Sequence, residues 1–246
     1  MNKFIRFDIH DIIPKKESVL RNMGVPKGKN VSNKADGLIS MAMDIFSDES
    51  RPVGIHSEIL KNEFESTFEG QGKNAKDTPL QRIIPHSNRL ALFALTMGKD
   101  VCEKIGVLFN DNNFALGSIL DAVASLSADR AVSTYERNFS SELLKRQNNQ
   151  SDNTVLSYSP GYCGWHISGQ KKLFQYLHPE KIGISLNDNY LMNPLKSVTG
   201  LLVSGKDEIH IFKANYPFCR SCKDASCQGR MKRIINLRKG NERKSD

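Results

Sequence analysis

The 246-residue chain has a single tryptophan, 8% aromatic residues and only five cysteines. So few cysteines in a chain of this length exclude a secreted disulfide framework. Long apolar runs are missing too. The longest, Leu90–Met97, is far too short to cross a bilayer, and no membrane partner is expected. The N-terminus MNKFIRFDIHDIIPKK has neither the apolar core nor the small-residue cleavage site of a signal peptide, so a soluble, cytoplasmic protein is expected. The chain has no G-x-G-x-x-G, Walker loop, H-E-x-x-H or G-x-S-x-G. The C-x3-C-x2-C triplet that holds a cluster in radical enzymes is absent as well.

What is present is a globular composition, with 39% hydrophobic and 25% charged residues. The length suits one large domain, or one domain with an appendage. The net charge of +8 is unevenly placed. Residues 211–246 carry ten basic and three acidic side chains, a net of +7, so the rest of the chain is close to neutral. A tail of this kind is usually solvated and sometimes docks an acidic partner.

Apolar periodicity predicts helices over residues 14–23 and 33–46, a buried strand over Leu90–Thr96, and a helix over Asp100–Leu108. Residues 47–88 are mixed and polar, with a loop at Gly70–Asn74. A long helical pattern runs from Ala115 to Lys145, with a phase shift that suggests a break near Asp129-Arg130. Gln147–Asn153 reads as a loop, Val155–Tyr158 as a short strand and Ser159–Tyr162 as a turn. Ser168 is placed to cap a helix ending at Leu177. Ile182, Ile184 and Leu186 alternate as in a half-buried strand. Val198–Val203 and Ile209–Phe212 flank Ser204–Asp207 as in a hairpin. Helices followed by short pairing strands predict an α+β fold: a helical N-terminal part and a twisted, mainly antiparallel sheet with helices packed on it.

The most unusual segment is Tyr158–Trp165, YSPGYCGW. Pro160 fixes its own φ and biases Ser159 toward extended geometry. Gly161 can bring a ligand close to bare backbone, and Tyr162 and Trp165 offer flat faces to a planar ring. Two readings stand open on the residues alone: a nucleoside cradle, or an ordinary tight turn with packed aromatics.

Residues 154–212 resemble the activation (reactivation) domain of cobalamin-dependent methionine synthase. The resemblance lies in the order and spacing of Ser159-Pro160-Gly161-Tyr162, Gln170 with the Leu173-Phe174 helix, and Ile182–Asp188. It continues in Met192-Asn193-Pro194 and Ser197-Val198-Thr199-Gly200. Residues 14–46 and 89–146, including Leu120-Asp121-Ala122, are compatible with the rest of that family. The resemblance implies a domain over 1–212, best matched over 154–212, with 213–246 as a basic, cysteine-containing extension. It also implies binding of S-adenosylmethionine and methyl transfer to a reduced corrinoid held by a partner protein. The implied ligand contacts are Ser159, Gly161 and Tyr162, with His210 at a position where the family has an aromatic. Asp188 falls where the family has an acidic residue. It either faces the corrinoid or the sulfonium, or is a strand-end carboxylate in water. The family's Arg three residues before the proline is replaced by Ser157, so the ligand's carboxylate must be met by another group. Lys196 reads as a surface charge. No Asp-x-His-x-x-Gly corrinoid segment occurs, so a corrinoid protein or cobalamin-dependent methyltransferase must bring the cobalamin, and a reductant protein is a further expected partner.

A second constellation is Cys219-x2-Cys222-x4-Cys227. Thiolates at this spacing can grip zinc or the iron of an iron–sulfur cluster, and Cys163 in the turn is a candidate fourth ligand, with His166 or His210 as substitutes. The other reading is free thiols or a reversible disulfide. Cys102 lies in a helical pattern and reads as core. Two functions follow: a reactivation-type protein for corrinoid methylation, or a metal- or iron–sulfur-binding interaction and electron-transfer module with a basic tail. Nucleic acid is not an expected partner, because no aromatics interleave with the tail's charges.

Overall fold

The computed structural model describes residues 2–29, 31–146, 153–212, 216–219 and 227. In chain order the elements are β1 (Lys3–Arg6), α1 (Ile9–Ile12), α2 (Lys16–Asn22), α3 (Asn33–Glu49), β2 (Val53–Ile59), α4 (Lys61–Glu69), α5 (Pro79–His86) and β3 (Arg89–Thr96). They continue with α6 (Lys99–Asn110), α7 (Phe114–Arg146), β4 (Asn153–Tyr158), α8 (Gly169–Leu177), β5 (Ser185–Leu186), β6 (Met192–Asn193) and β7 (Ser197–Lys206). Five strands form one antiparallel sheet in the order β1-β2-β3-β7-β4, and β5 and β6 form a separate small hairpin. The fold is α+β, as expected.

Helices cover both faces of the sheet, and β3 shows why its sequence is a continuous apolar run. Ala91, Phe93 and Leu95 enter one core with α1, α2, α3, α6 and α7. Leu90, Leu92 and Ala94 enter the other with α4, α5 and α8. A strand buried on both faces has no polar side to alternate with. The same burial hid β2 among the mixed residues 47–88: its His56 and Ser57 are polar yet buried.

Several expectations are corrected. The 33-residue α7 is unbroken at Asp129-Arg130. Its buried face passes through Ser127, Ala128 and Ala131, small residues that carry the stripe across the apparent phase shift, and Arg130 hydrogen-bonds the Asp11 carbonyl outside the core. Ser168 does not cap α8 through its side chain. It has helical backbone angles, and its hydroxyl hydrogen-bonds His166 Nδ1 at 2.8 Å. The alternation at 182–186 is strand only at Ser185–Leu186; Ile182 ends a 3-10 turn, Pro179–Ile182. No hairpin turns at Ser204–Asp207. β7 runs through to Lys206 and ends in a 3-10 turn, Asp207–His210. Of the loop expected at 147–153, Asn153 already belongs to β4 and the rest lies outside the described residues.

Two features of the sheet generate predictions. At Gly200 in β7, an added Cβ would lie 2.5 Å from the Tyr158 carbonyl oxygen, 2.9 Å from Phe93 Cε1 and 2.9 Å from Ser159 Oγ. Gly200→Ala should therefore cost about 1–3 kcal/mol in urea unfolding, the usual range for forcing atoms into a filled core.

The second is His56, 5% exposed, which shares a 2.8 Å hydrogen bond through Nδ1 with the buried Tyr135 hydroxyl. Its Nε2 is buried without a hydrogen-bond partner among the described residues. Burial lowers its pKa. Glu142 and Glu58 oppose that shift, and Lys3 and Arg146 reinforce it. The unfolded chain then takes up this proton first. Stability is full above the ordinary histidine value of about 6.5 and declines as pH falls toward the lower folded value. The urea midpoint of the wild type should drop between pH 7 and 5.5, and His56→Asn should show a flatter profile.

Candidate functional site

The turn between β4 and α8 is built on Gly200. Because that residue has no side chain, the end of β4 lies directly against β7, which delivers Ser159 to the edge of the sheet. The turn closes on itself: Gly161 N–H donates to the Trp165 carbonyl (2.7 Å), Tyr162 N–H to Ser159 (3.2 Å) and Trp165 N–H to Tyr162 (2.9 Å). Gly161 adopts φ +95°, the left-handed region that glycine enters without strain. A Cβ there would meet only Ile167 Cδ1, at 3.4 Å, so its outer side is open. Pro160 is buried, Ser159 half-buried, and Tyr162 is 51% exposed.

Trp165 is not a ligand platform. It is 1% exposed, edge-on to Phe64 with ring centroids 5.5 Å apart, and tilted against Phe68. Its indole fills the space over Gly169, where a Cβ would lie 2.3 Å from Nε1. The N–H groups of Gly161 and Tyr162 donate within the turn. The turn leaves Gly161 and Tyr162 exposed and Ser159 half-buried.

Other parts of the matched sequence meet behind the turn. Thr199 donates a buried hydrogen bond to Gln170 Oε1 at 2.6 Å, joining β7 to the start of α8. His210 lies in the 3-10 turn after β7 rather than on a strand. It is 1% exposed, stacks on Tyr158 with an interplanar angle of 13°, and shares a 3.0 Å hydrogen bond with the Tyr158 hydroxyl through Nδ1. It thus stands behind the residue that opens the turn. Asp188 is exposed in the tight turn between β5 and β6, where the Asn187 side chain accepts from the N–H groups of Asn189 and Leu191. Lys196, read as a surface charge, is largely covered. Its side chain is 11% exposed and its ammonium meets Asp121 and Ser125, each at 2.8 Å, tying the residue before β7 to α7.

The loop expected at Gly70–Asn74 is present, but sequence reasoning missed its contacts with the turn. Ala75 N–H donates to the Gly164 carbonyl (3.0 Å), and the Asn74 side chain accepts from His166 N–H (2.8 Å). Tyr190, from the β5–β6 hairpin, hydrogen-bonds Gln71 at 3.0 Å. One loop therefore holds both the turn and the hairpin that bears Asp188. Also missed was Glu136 of α7, whose carboxylate accepts the Ser157 N–H at 2.7 Å, at the position where the family has an arginine. A surface hollow of about 240 Å³ lies elsewhere, between Glu58, Leu60, Lys61 and Arg89.

The segment Tyr216–Cys219 packs against the same turn. A Cβ on Gly164 would lie 2.8 Å from Phe218 Cε1 and 2.8 Å from Thr78 Cγ2. Tyr216 stacks on Phe218 at 5.2 Å, with the Arg82 guanidinium 5.9 Å from its ring centroid. Burial raises the Tyr216 pKa, Arg82 opposes the rise, and Asp77, Cys219 and Cys163 add to it. Among the described residues no three His, Cys, Asp or Glu side chains gather as a metal group. Cys222 and most of the basic tail lie outside the described residues. No described helix is long and apolar enough to cross a membrane.

Comparison with known proteins agrees with the resemblance. No curated protein sequence matches the chain. Among solved structures it is similar to a crystal structure of the MetH reactivation domain bound to AdoHcy, with a TM-score of 0.57 and 14% identity, over 84% of this chain and 79% of that one. At that identity the likeness concerns the fold. The family model described as vitamin B12 dependent methionine synthase, activation domain, matches residues 85–216, more than half of the chain, from the end of α5 through the turn to Tyr216. With its sheet, turn and matched segments in place, the chain belongs to the activation-domain family of vitamin B12 dependent methionine synthase.

Proposed function

We propose that this protein binds S-adenosylmethionine at Ser159, Gly161 and Tyr162 and serves the reductive methylation of a corrinoid carried by a partner protein, either a corrinoid protein or a cobalamin-dependent methyltransferase. The observation that carries this reading is the turn itself: closed by its own hydrogen bonds, seated on Gly200, and most exposed at Gly161 and Tyr162. In that reaction the methyl group leaves the sulfonium for the reduced cobalt, and S-adenosylhomocysteine remains. The neighbour with AdoHcy bound has the same fold, which supports a ligand of this class.

This chain's residues divide the work. Tyr162 offers a planar face to the adenine. Gly161 lets the ligand approach the backbone. Tyr158 and His210 hold the turn from behind. With Ser157 in place of arginine and Glu136 beside it, the site presents a carboxylate that suits the ligand's ammonium and sulfonium charges better than its carboxylate. Asp188, on a hairpin tied to the loop that holds the turn, is read as facing the corrinoid side. Residues 1–212 act as one domain and 213–246 as an extension. The alternative, a metal or iron–sulfur electron-transfer module, has less support: among the described residues no metal group of three forms.

Calorimetry should show binding of both S-adenosylmethionine and S-adenosylhomocysteine with modest affinity, micromolar to millimolar. Tyr162→Ala should weaken it about tenfold, near 1.4 kcal/mol, without lowering the melting temperature. Absence of heat or competition at millimolar ligand would remove the assignment. Cobalamin alone should not co-elute with the isolated protein on gel filtration. Retention there would contradict a partner-borne corrinoid.

A further inference from the structure

Helix α7 is fastened to the strands on either side of the turn at two points. Glu136 accepts the Ser157 N–H on the outer edge of β4, and Asp121 and Ser125 hold the Lys196 ammonium just before β7. Leu202 of β7 pairs with Ser157 and lies six residues past Lys196, about 20 Å along the strand. Glu136 lies eleven residues past Ser125, about 16 Å along the helix. The two spans are similar, so the stretch of α7 between the fastening points runs alongside this part of the sheet. β4 is antiparallel to β7, so Ser159–Tyr162 leaves β4 toward the Lys196 end, between those same points. At 3.6 residues per turn, Ser125, Asp129 and Glu136 stand within about 40° of one another around α7. Asp129 is therefore the charged residue of α7 that shares the face of both fastening points and lies between them. It is exposed, and beside it a hollow of about 160 Å³ opens between α7 and the start of α2, with Pro14, Ser18, Leu126 and Ser133 in its wall.

On the reading that the turn binds S-adenosylmethionine, we infer that Asp129 borders the sulfonium of the bound ligand and makes the site prefer the charged methyl donor to its neutral product. Residues 153–170, which carry the turn, contain no lysine or arginine, so that segment supplies no fixed positive charge. Asp121 is balanced by Lys196, and Glu136 spends one oxygen on the Ser157 N–H. The guanidinium groups of Arg21, Arg130 and Arg137 act against the attraction. Each is turned to other oxygens: Arg21 to Glu17 and Ser18, Arg130 to Asp11, and Arg137 to Thr134. S-adenosylmethionine carries a sulfonium that S-adenosylhomocysteine lacks, and the two otherwise differ by one methyl group. A fixed carboxylate near the sulfur therefore separates them by charge rather than by shape. Opposite unit charges a few ångströms apart in a wet site are worth about fivefold in affinity. Once the methyl group has left for the reduced cobalt, the sulfur is neutral and that attraction is gone. The product is then held more weakly than the donor, which favours exchange.

The test is calorimetry on the full chain with S-adenosylmethionine, S-adenosylhomocysteine and sinefungin, in which an ammonium-bearing carbon replaces the methylated sulfur and keeps the positive charge. The wild type should bind S-adenosylmethionine and sinefungin about fivefold more tightly than S-adenosylhomocysteine. Asp129→Asn should bring the three affinities together by weakening the two charged ligands and leaving S-adenosylhomocysteine unchanged. Asp129→Glu should keep the preference, and Asp111→Asn, beyond the start of α7, should not disturb it. Should the asparagine variant fail to fold, the wild type decides: its preference should shrink toward unity in about 1 M salt, where the screening length falls to about 3 Å. Equal affinity of the wild type for all three ligands overturns the inference and leaves the ligand turn standing. So does a preference that salt does not change, or an Asp129→Asn variant that weakens charged and neutral ligands alike. Failure of all three to bind removes the ligand assignment itself, and the inference with it.

Discussion

The contact between β7 and the end of β4 at Gly200 is the constraint from which the site follows. With no side chain there, the Tyr158 carbonyl and the Ser159 hydroxyl can lie where a Cβ would otherwise be, so the strand delivers its last residue directly into the turn. A turn placed by backbone contact needs few side chains of its own. It closes with three internal hydrogen bonds and leaves Gly161 and Tyr162 facing outward. The rest of β7 serves the same placement: Thr199 reaches Gln170 at the start of α8, and Ser197 donates to the Pro194 carbonyl at 2.7 Å just before the strand.

Around that seat the molecule draws together segments distant in sequence. The loop 70–78 is stitched to the turn through Asn74 and Ala75 and to the β5–β6 hairpin through Gln71. The Tyr216–Cys219 segment closes from a third side against Gly164. Long α7 touches the strands on either side of the turn's seat, through Glu136 at Ser157 of β4 and through Asp121 and Ser125 at Lys196 before β7. The near-neutral body therefore presents opposite charges in different places: a carboxylate where the family has a guanidinium, and a largely covered lysine at the start of β7.

The buried aromatics and histidines are structural supports rather than platforms. Trp165 packs edge-on into the core with Phe64, and His210 braces Tyr158. His56 and Tyr135 form a comparable buried pair on the opposite face of the sheet. In each case a polar or amphipathic ring fills a gap between a strand and the elements covering it. A linear pattern of residue types does not distinguish that role from ligand binding.

By itself the sequence determined the elements whose signals are local. These are β3, buried on both faces and therefore apolar throughout; α3, α6, α7 and α8, with their regular apolar spacing; and the Ser-Pro-Gly-Tyr turn, whose backbone needs are written in proline and glycine. It carried the family through residues that hold the turn, Gly200 among them. Only the tertiary structure decided which residues face the turn. It placed Asn74 against the turn and Glu136 against Ser157 in β4, from regions with no distinguishing pattern, withdrew Trp165 into the core, set His210 behind Tyr158 and covered Lys196. It also brought Cys163 and the Cys219 segment side by side. The physical reason is that burial and proximity arise from contacts between elements far apart in the chain, whereas periodicity and turn chemistry report only on neighbours a few residues away.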